Sequence, residues 1–212
     1  MSERLLLIDS DIFVLLSAAG MLETVIDLLG YAPENARRLQ PLPHMLRRGR
    51  AFSAYSDQAK ARAEKQCTRV SALTDRPRND RVLDLLSTIE DIGVGEALLY
   101  ALLAEKPGAY LASGDKRAMI ALAADPALQD VRRSVAGRVV CLEAALKLLV
   151  ERTGVKPTAR AFSPLREVKV NTVLRVVFSS AEATTKADCL EALNSYLADL
   201  DGKTGGGFLY RP

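Results

Sequence analysis

An unbroken apolar run, Leu5 to Ile8, stops abruptly at Asp9 and Asp11 in "LLLIDSDIF". A short run bounded by acids reads as a strand buried on both faces. Apolar positions then take helical spacing from Ile12 to Ala18 and again through "MLETVIDLLG", with Gly20 and Gly30 bracketing the second segment. Pro33, Pro41 and Pro43 break that rhythm. The segment "AYSDQAKARAEKQCTRVSAL" has the composition of a polar helix and predicts an exposed arm or hairpin, and "DRPRND" predicts a loop leading to a short helix, "RVLDLLSTI".

The pattern sharpens in "EDIGVGEALLYALLAEKPGAYLASGDKRAMIALAAD". Gly93 and Gly95 open a helix near Glu96, "KPG" closes it, "AYLAS" is a strand, and Asp115 starts a further helix. Helix, strand, helix is the repeating unit of an α/β sheet. A helix of about ten residues rises roughly 15 Å and a strand of about six returns roughly 20 Å, so Glu96 and Asp115 arrive at one edge of the sheet. If the first strand is a parallel neighbour, Asp9 joins them at the carboxyl edge, where open parallel sheets bind ligands. "GRVVCL" at 137–142 predicts another strand, and "EAALKLLVERTG" another helix. The fold expected is three-layer α/β/α with a central parallel sheet over residues 1–150. From Lys156 onward the rhythm is lost, which predicts a helix-rich extension or appendage over 151–212.

Composition narrows the chemistry. The chain has 212 residues, 49% apolar and 26% charged, enough for one ordinary domain with a sizeable core. The apolar run at the start is too short for a signal-peptide core or a membrane span, so a cytoplasmic location without membrane contact is expected. Cys67, Cys141 and Cys189 are widely spaced and lack a C-x-x-C pair, and read as buried thiols rather than a disulfide frame or zinc site. His44 is the single histidine and follows two prolines, a surface or loop setting that removes most histidine-based catalysis and ligation. Carboxylate chemistry remains. The net charge of +3 is mild, but basic residues cluster in "RRGR" at 47–50, "DRPRNDR" at 75–81, "DKR" at 115–117 and "VRRSVAGR" at 131–138. Their meaning depends on whether they surround one acidic site.

Two readings of the acids stay open. Asp9 or Ser10 can cap the helix after the first strand, Asp115 can cap "KRAMIALAA", and Glu96 suits the dipole of its own helix. Capping alone does not require the three to converge. Convergent carboxylates repel one another unless a hard divalent cation neutralises them.

The motifs "LLLIDSDIF", "IGVGEALLYALLAE" and "YLASGDKRAM", in this order, resemble the PIN-domain family of metal-dependent nucleases over roughly the first 145 residues. The resemblance implies that Asp9, Glu96 and Asp115 are the catalytic acids and metal ligands, with Asp11 and Asp91 as further candidate ligands. Ser113 stands in the family's hydroxyl position, and Ser113, Lys116, Arg117, Arg47 and Arg48 are candidate substrate contacts. Many relatives have Asn where this chain has Asp11. A further family acid has Glu64 as its nearest match, with Glu90 or Asp91 as substitutes. The implied activity is endoribonuclease cleavage of single-stranded RNA with Mg²⁺ or Mn²⁺, as the toxin of a toxin–antitoxin pair or in RNA processing. An inactive nucleic-acid-binding or protein-binding module is the alternative. RNA is the implied partner, with an antitoxin, another protein or a second copy of the chain as further candidates.

Overall fold

A computed structural model describes residues 4–166, 172–178 and 184–212. Five parallel strands form one sheet in the order β3-β2-β1-β4-β5. They are β1 (Leu5–Ile8), β2 (Ala36–Arg38), β3 (Ser71–Ala72), β4 (Ala109–Ser113) and β5 (Val139–Cys141). The expected neighbours are paired in register, Leu5 with Ala109 through Ile8 with Ala112. Every residue of β1 is buried, which explains its unbroken apolar run.

Between β1 and β2 run α1 (Ser10–Ala18) and α2 (Leu22–Leu28). Gly20 (φ 71°) and Gly30 (φ 76°) end these helices in left-handed conformation. In each case the next residue's N–H reaches back into the last turn, Met21 to the Leu16 carbonyl (2.8 Å) and Tyr31 to that of Ile26 (3.0 Å). Next come α3 (Leu42–Arg48) and α4 (Asp57–Cys67), the latter covering the segment expected as an exposed arm. The helix is present, but it is docked. Ala59, Ala63 and Cys67, four apart, bury one face, and Arg62 donates to the Ala18 carbonyl at the end of α1 (3.0 Å).

The return half holds α5 (Asp80–Ser87) and α6 (Val94–Glu105) before β4, then α7 (Lys116–Ala124) and α8 (Gln129–Val135) before β5. After the sheet come α9 (Leu142–Thr153), α10 (Val155–Arg166), α11 (Thr172–Val177) and α12 (Lys186–Lys203). Within the stretch expected as an extension, 167–171 and 179–183 lie outside the described residues. The described remainder joins the same core: α12 packs on α9, and Leu209 bridges Val139 of β5. Among the described residues no helix is long and apolar enough to cross a membrane.

Candidate functional site

The chain leaves β1 toward β2 on one side and leaves β4 toward β5 on the other. Parallel sheets open a crevice where neighbouring strands send their connections in opposite directions. Here that point lies beyond Ile8 and Ser113, where the backbone N–H of Asp9 donates to the Ala112 carbonyl (2.9 Å).

Asp9 is only 2% exposed. Its Oδ1 accepts from the Ser10 N–H (2.6 Å), capping α1, and its Oδ2 accepts from the Ser113 hydroxyl (3.3 Å). Burial, followed by the charges of Glu96 and Asp11, pushes its carboxyl up to about 7, against the lowering pull of the Ser10 and Ser113 hydrogen bonds. Ser113 also accepts from the Asp115 N–H (3.2 Å), tying the first acid to the second. Asp115 caps α7, its Oδ1 accepting from the N–H groups of Arg117 (2.9 Å) and Ala118 (3.1 Å).

Asp11 stands in the first turn of α1 at the mouth of the crevice, its pKa raised by burial and then by Asp115. Glu96 occupies the first turn of α6 and folds back over the start of that helix. A Cβ on Gly93 would lie 2.4 Å from Glu96 Oε2, and one on Gly95 would lie 2.8 Å from Leu39 Cδ1, so a side chain at either position would push the Glu96 carboxylate or the Leu39 side chain aside. Burial raises the Glu96 pKa first; Asp115 and Asp11 raise it further, while its own backbone amide and Arg117 lower it. Four carboxylates from three segments therefore act on one another.

The remaining candidates divide. Arg117 is exposed, lines a cleft of about 330 Å³ with Asp11, Asp115 and Thr172, and is the cation whose charge reaches Glu96. Lys116 lines the same cleft, but its Nζ is paired with Glu143 Oε1 (2.5 Å) and lies over the Tyr196 ring (5.6 Å). Arg47 and Arg48 are exposed at the end of α3, and the charge of Arg47 acts on Cys67 rather than on the four acids. Asp91 is exposed before α6 and Glu64 acts on Cys67; neither acts on Asp9, Asp11 or Glu96.

Three participants escape a reading by sequence motif. Tyr100, one helical turn after Glu96, is buried, and the charges of Asp9, Asp115 and Glu96 reach its hydroxyl. Glu143 is a fully buried acid two residues beyond β5, echoing the position of Asp115 after β4. Val173 of α11 lines the same cleft as Asp11. The i, i+4 spacing from Glu96 was the available signal for Tyr100, and the strand-end position was the signal for Glu143.

The donor set is all oxygen, Asp9 has no cationic partner among its influences, and the buried Tyr100 hydroxyl has no hydrogen-bond partner. These features fit a hard divalent ion held by Asp9, Glu96 and Asp115, with Asp11 at the mouth. Among the described residues, however, no three potential ligands stand grouped closely enough to hold an ion as they are. The fold and site define a class of protein: a parallel α/β sheet with an acidic crevice at its point of reversal. No protein-family profile, curated protein or solved structure matches this chain.

Proposed function

We propose that the chain is a metal-dependent endoribonuclease acting on single-stranded RNA with Mg²⁺ or Mn²⁺. The observation that supports the reading is the mutual action of Asp9, Asp11, Glu96 and Asp115 at the sheet's reversal point, without a lysine or arginine paired to Asp9. A bound ion would supply an acidified water and would neutralise charge building on the scissile phosphate. The chain's own residues do the positioning. Asp9, Glu96 and Asp115 would hold the ion, Ser113 orients the Asp9 carboxylate, and Arg117, which lines the cleft, would meet a phosphate.

A second reading, a binding module without chemistry, is favoured by the caps that Asp9 and Asp115 already make. Asp115→Asn separates the two. Asn caps about as well as Asp, so the binding-module reading predicts little change of any kind. The nuclease reading predicts an unchanged or higher melting temperature without metal, loss of stabilisation by Mn²⁺, and a fall in RNA cleavage of about 100-fold or more. The checks are thermal melts with and without Mn²⁺ and cleavage of a labelled single-stranded RNA by ribonuclease-free preparations. Equal Mn²⁺ stabilisation and equal cleavage in both proteins would remove Asp115 from the site.

A further inference from the structure

Tyr100 lies in α6 four residues after Glu96, which places both side chains on one face of the helix. Its side chain is among the largest fully buried ones, at 1% exposed, and its hydroxyl has no hydrogen-bond partner. Buried tyrosine hydroxyls usually find a partner, because an orphaned one has given up its bonds to water without replacement. The charges acting on this hydroxyl are those of Asp9, then Asp115, then Glu96. All three are acceptors, and none is within direct hydrogen-bonding reach of it. A buried phenol under the charge of three carboxylates, with no direct bond to any of them, is a setting in which one water can complete the connection.

We infer that Tyr100 is a positioning residue of the acidic crevice: its hydroxyl donates, through one water, to the oxygen shell that Asp9, Glu96 and Asp115 form around a divalent cation. This rests on the cation reading given above. Groups that hydrogen-bond to metal-ligating carboxylates fix their orientation, and losing one weakens metal binding without disturbing the fold. The apolar body of Tyr100 meanwhile fills the core beneath α6. Phe supplies the same ring, so packing and hydrogen bonding can be separated by a single substitution.

The experiment compares the full-length wild type with Tyr100→Phe, using Mn²⁺ alone as the probe. Calorimetry gives the Mn²⁺ dissociation constant, and thermal melts with and without Mn²⁺ give stability. The expected result is an unchanged or raised melting temperature without metal, together with Mn²⁺ binding about tenfold weaker. Equal Mn²⁺ affinity in the two proteins would overturn the inference and leave Tyr100 a packing residue. A lower metal-free melting temperature with unchanged Mn²⁺ affinity would overturn it in the same way. No Mn²⁺ binding by wild type would sink the cation reading and the role of Tyr100 with it, so the wild-type arm distinguishes the two failures.

Discussion

Asp9 is a carboxyl group held where its charged form is disfavoured, and this gives the metal-free protein a definite pH dependence. Its pKa is raised from 3.8 to about 7 in the fold, so the folded chain binds a proton that the unfolded chain has released in this interval. The stabilisation is fully present below about pH 4 and is lost as the pH rises toward 7. The whole swing is of order 4 kcal/mol, from about 1.4 kcal/mol per pKa unit. Asp9→Asn keeps an oxygen to cap α1 but cannot ionise. Its metal-free stability should therefore show a flatter fall between pH 4 and 7 and exceed that of wild type at pH 8, as read by urea unfolding across pH. A wild-type slope preserved in the variant would assign the pH dependence to other groups. Gly93→Ala tests Glu96 by position instead of charge: the added Cβ meets Oε2 and displaces the carboxylate. The variant should fold, with Mn²⁺ stabilisation reduced in thermal melts. Asp9, Glu96 and Asp115 were legible because each stands where an apolar run ends or a helix begins. Tyr100 was not, because its ring matches the buried stripe of "ALLYALLAE" and only its hydroxyl, reached by the charges of the acids, sets it apart.

Elements were legible in proportion to how much apolar surface each carries. β1, β4 and β5, with the helices that follow them, are runs or periodic segments, and helix and strand lengths brought Glu96 and Asp115 to one edge, whereas the parallel pairing of β1 with β4 had to be assumed. β2 and β3 are three and two residues long, and β2 reads "ARR". Arg38 is nonetheless buried, because its guanidinium donates to the carbonyls of Cys67 (3.1 and 3.3 Å) and Leu39 (3.2 Å). No hydrophobic pattern announces a strand whose buried residue is satisfied by distant carbonyls. The docking of α4 was hidden for a related reason. Its buried stripe consists of Ala and Cys, which contribute little to an apolar pattern. The Lys116–Glu143 pair joins α7 to α9, and Glu143 is fully buried. Lys116→Met would strand that carboxylate and should destabilise the fold by about 3 kcal/mol, whereas adding Glu143→Leu should recover most of the loss. Denaturant titration of the single and double variants checks both; a neutral single variant would make the pair incidental.

Across the whole molecule, the end of the segment expected as a helix-rich extension or appendage runs along β5 at the edge of the sheet. The Tyr210 N–H donates to the Val139 carbonyl (2.8 Å), the Gly137 N–H donates to the Phe208 carbonyl (3.0 Å), and Phe208 and Leu209 are buried. Nothing in "GGGFLYRP" foretells this, because three left-handed glycines route the chain back to β5. Each of the two side chains contributes about 2–3 kcal/mol by burial. Deleting residues 206–212 should therefore lower the melting temperature by roughly 10–20 °C. A shift within a few degrees would show that the tail is dispensable.

The hydrogen bond from Ser113 to Asp9 joins residues 104 positions apart. Contacts of such long sequence separation form late, after the loop between them has been closed at an entropic cost. On that ground the crevice, like the β1–β4 pairing that frames it, is expected to close late in refolding, with repulsion among its acids acting on that step. If the crevice holds a divalent ion as proposed, that ion should slow unfolding far more than it speeds folding, so that its main effect would be on how long the native state lasts.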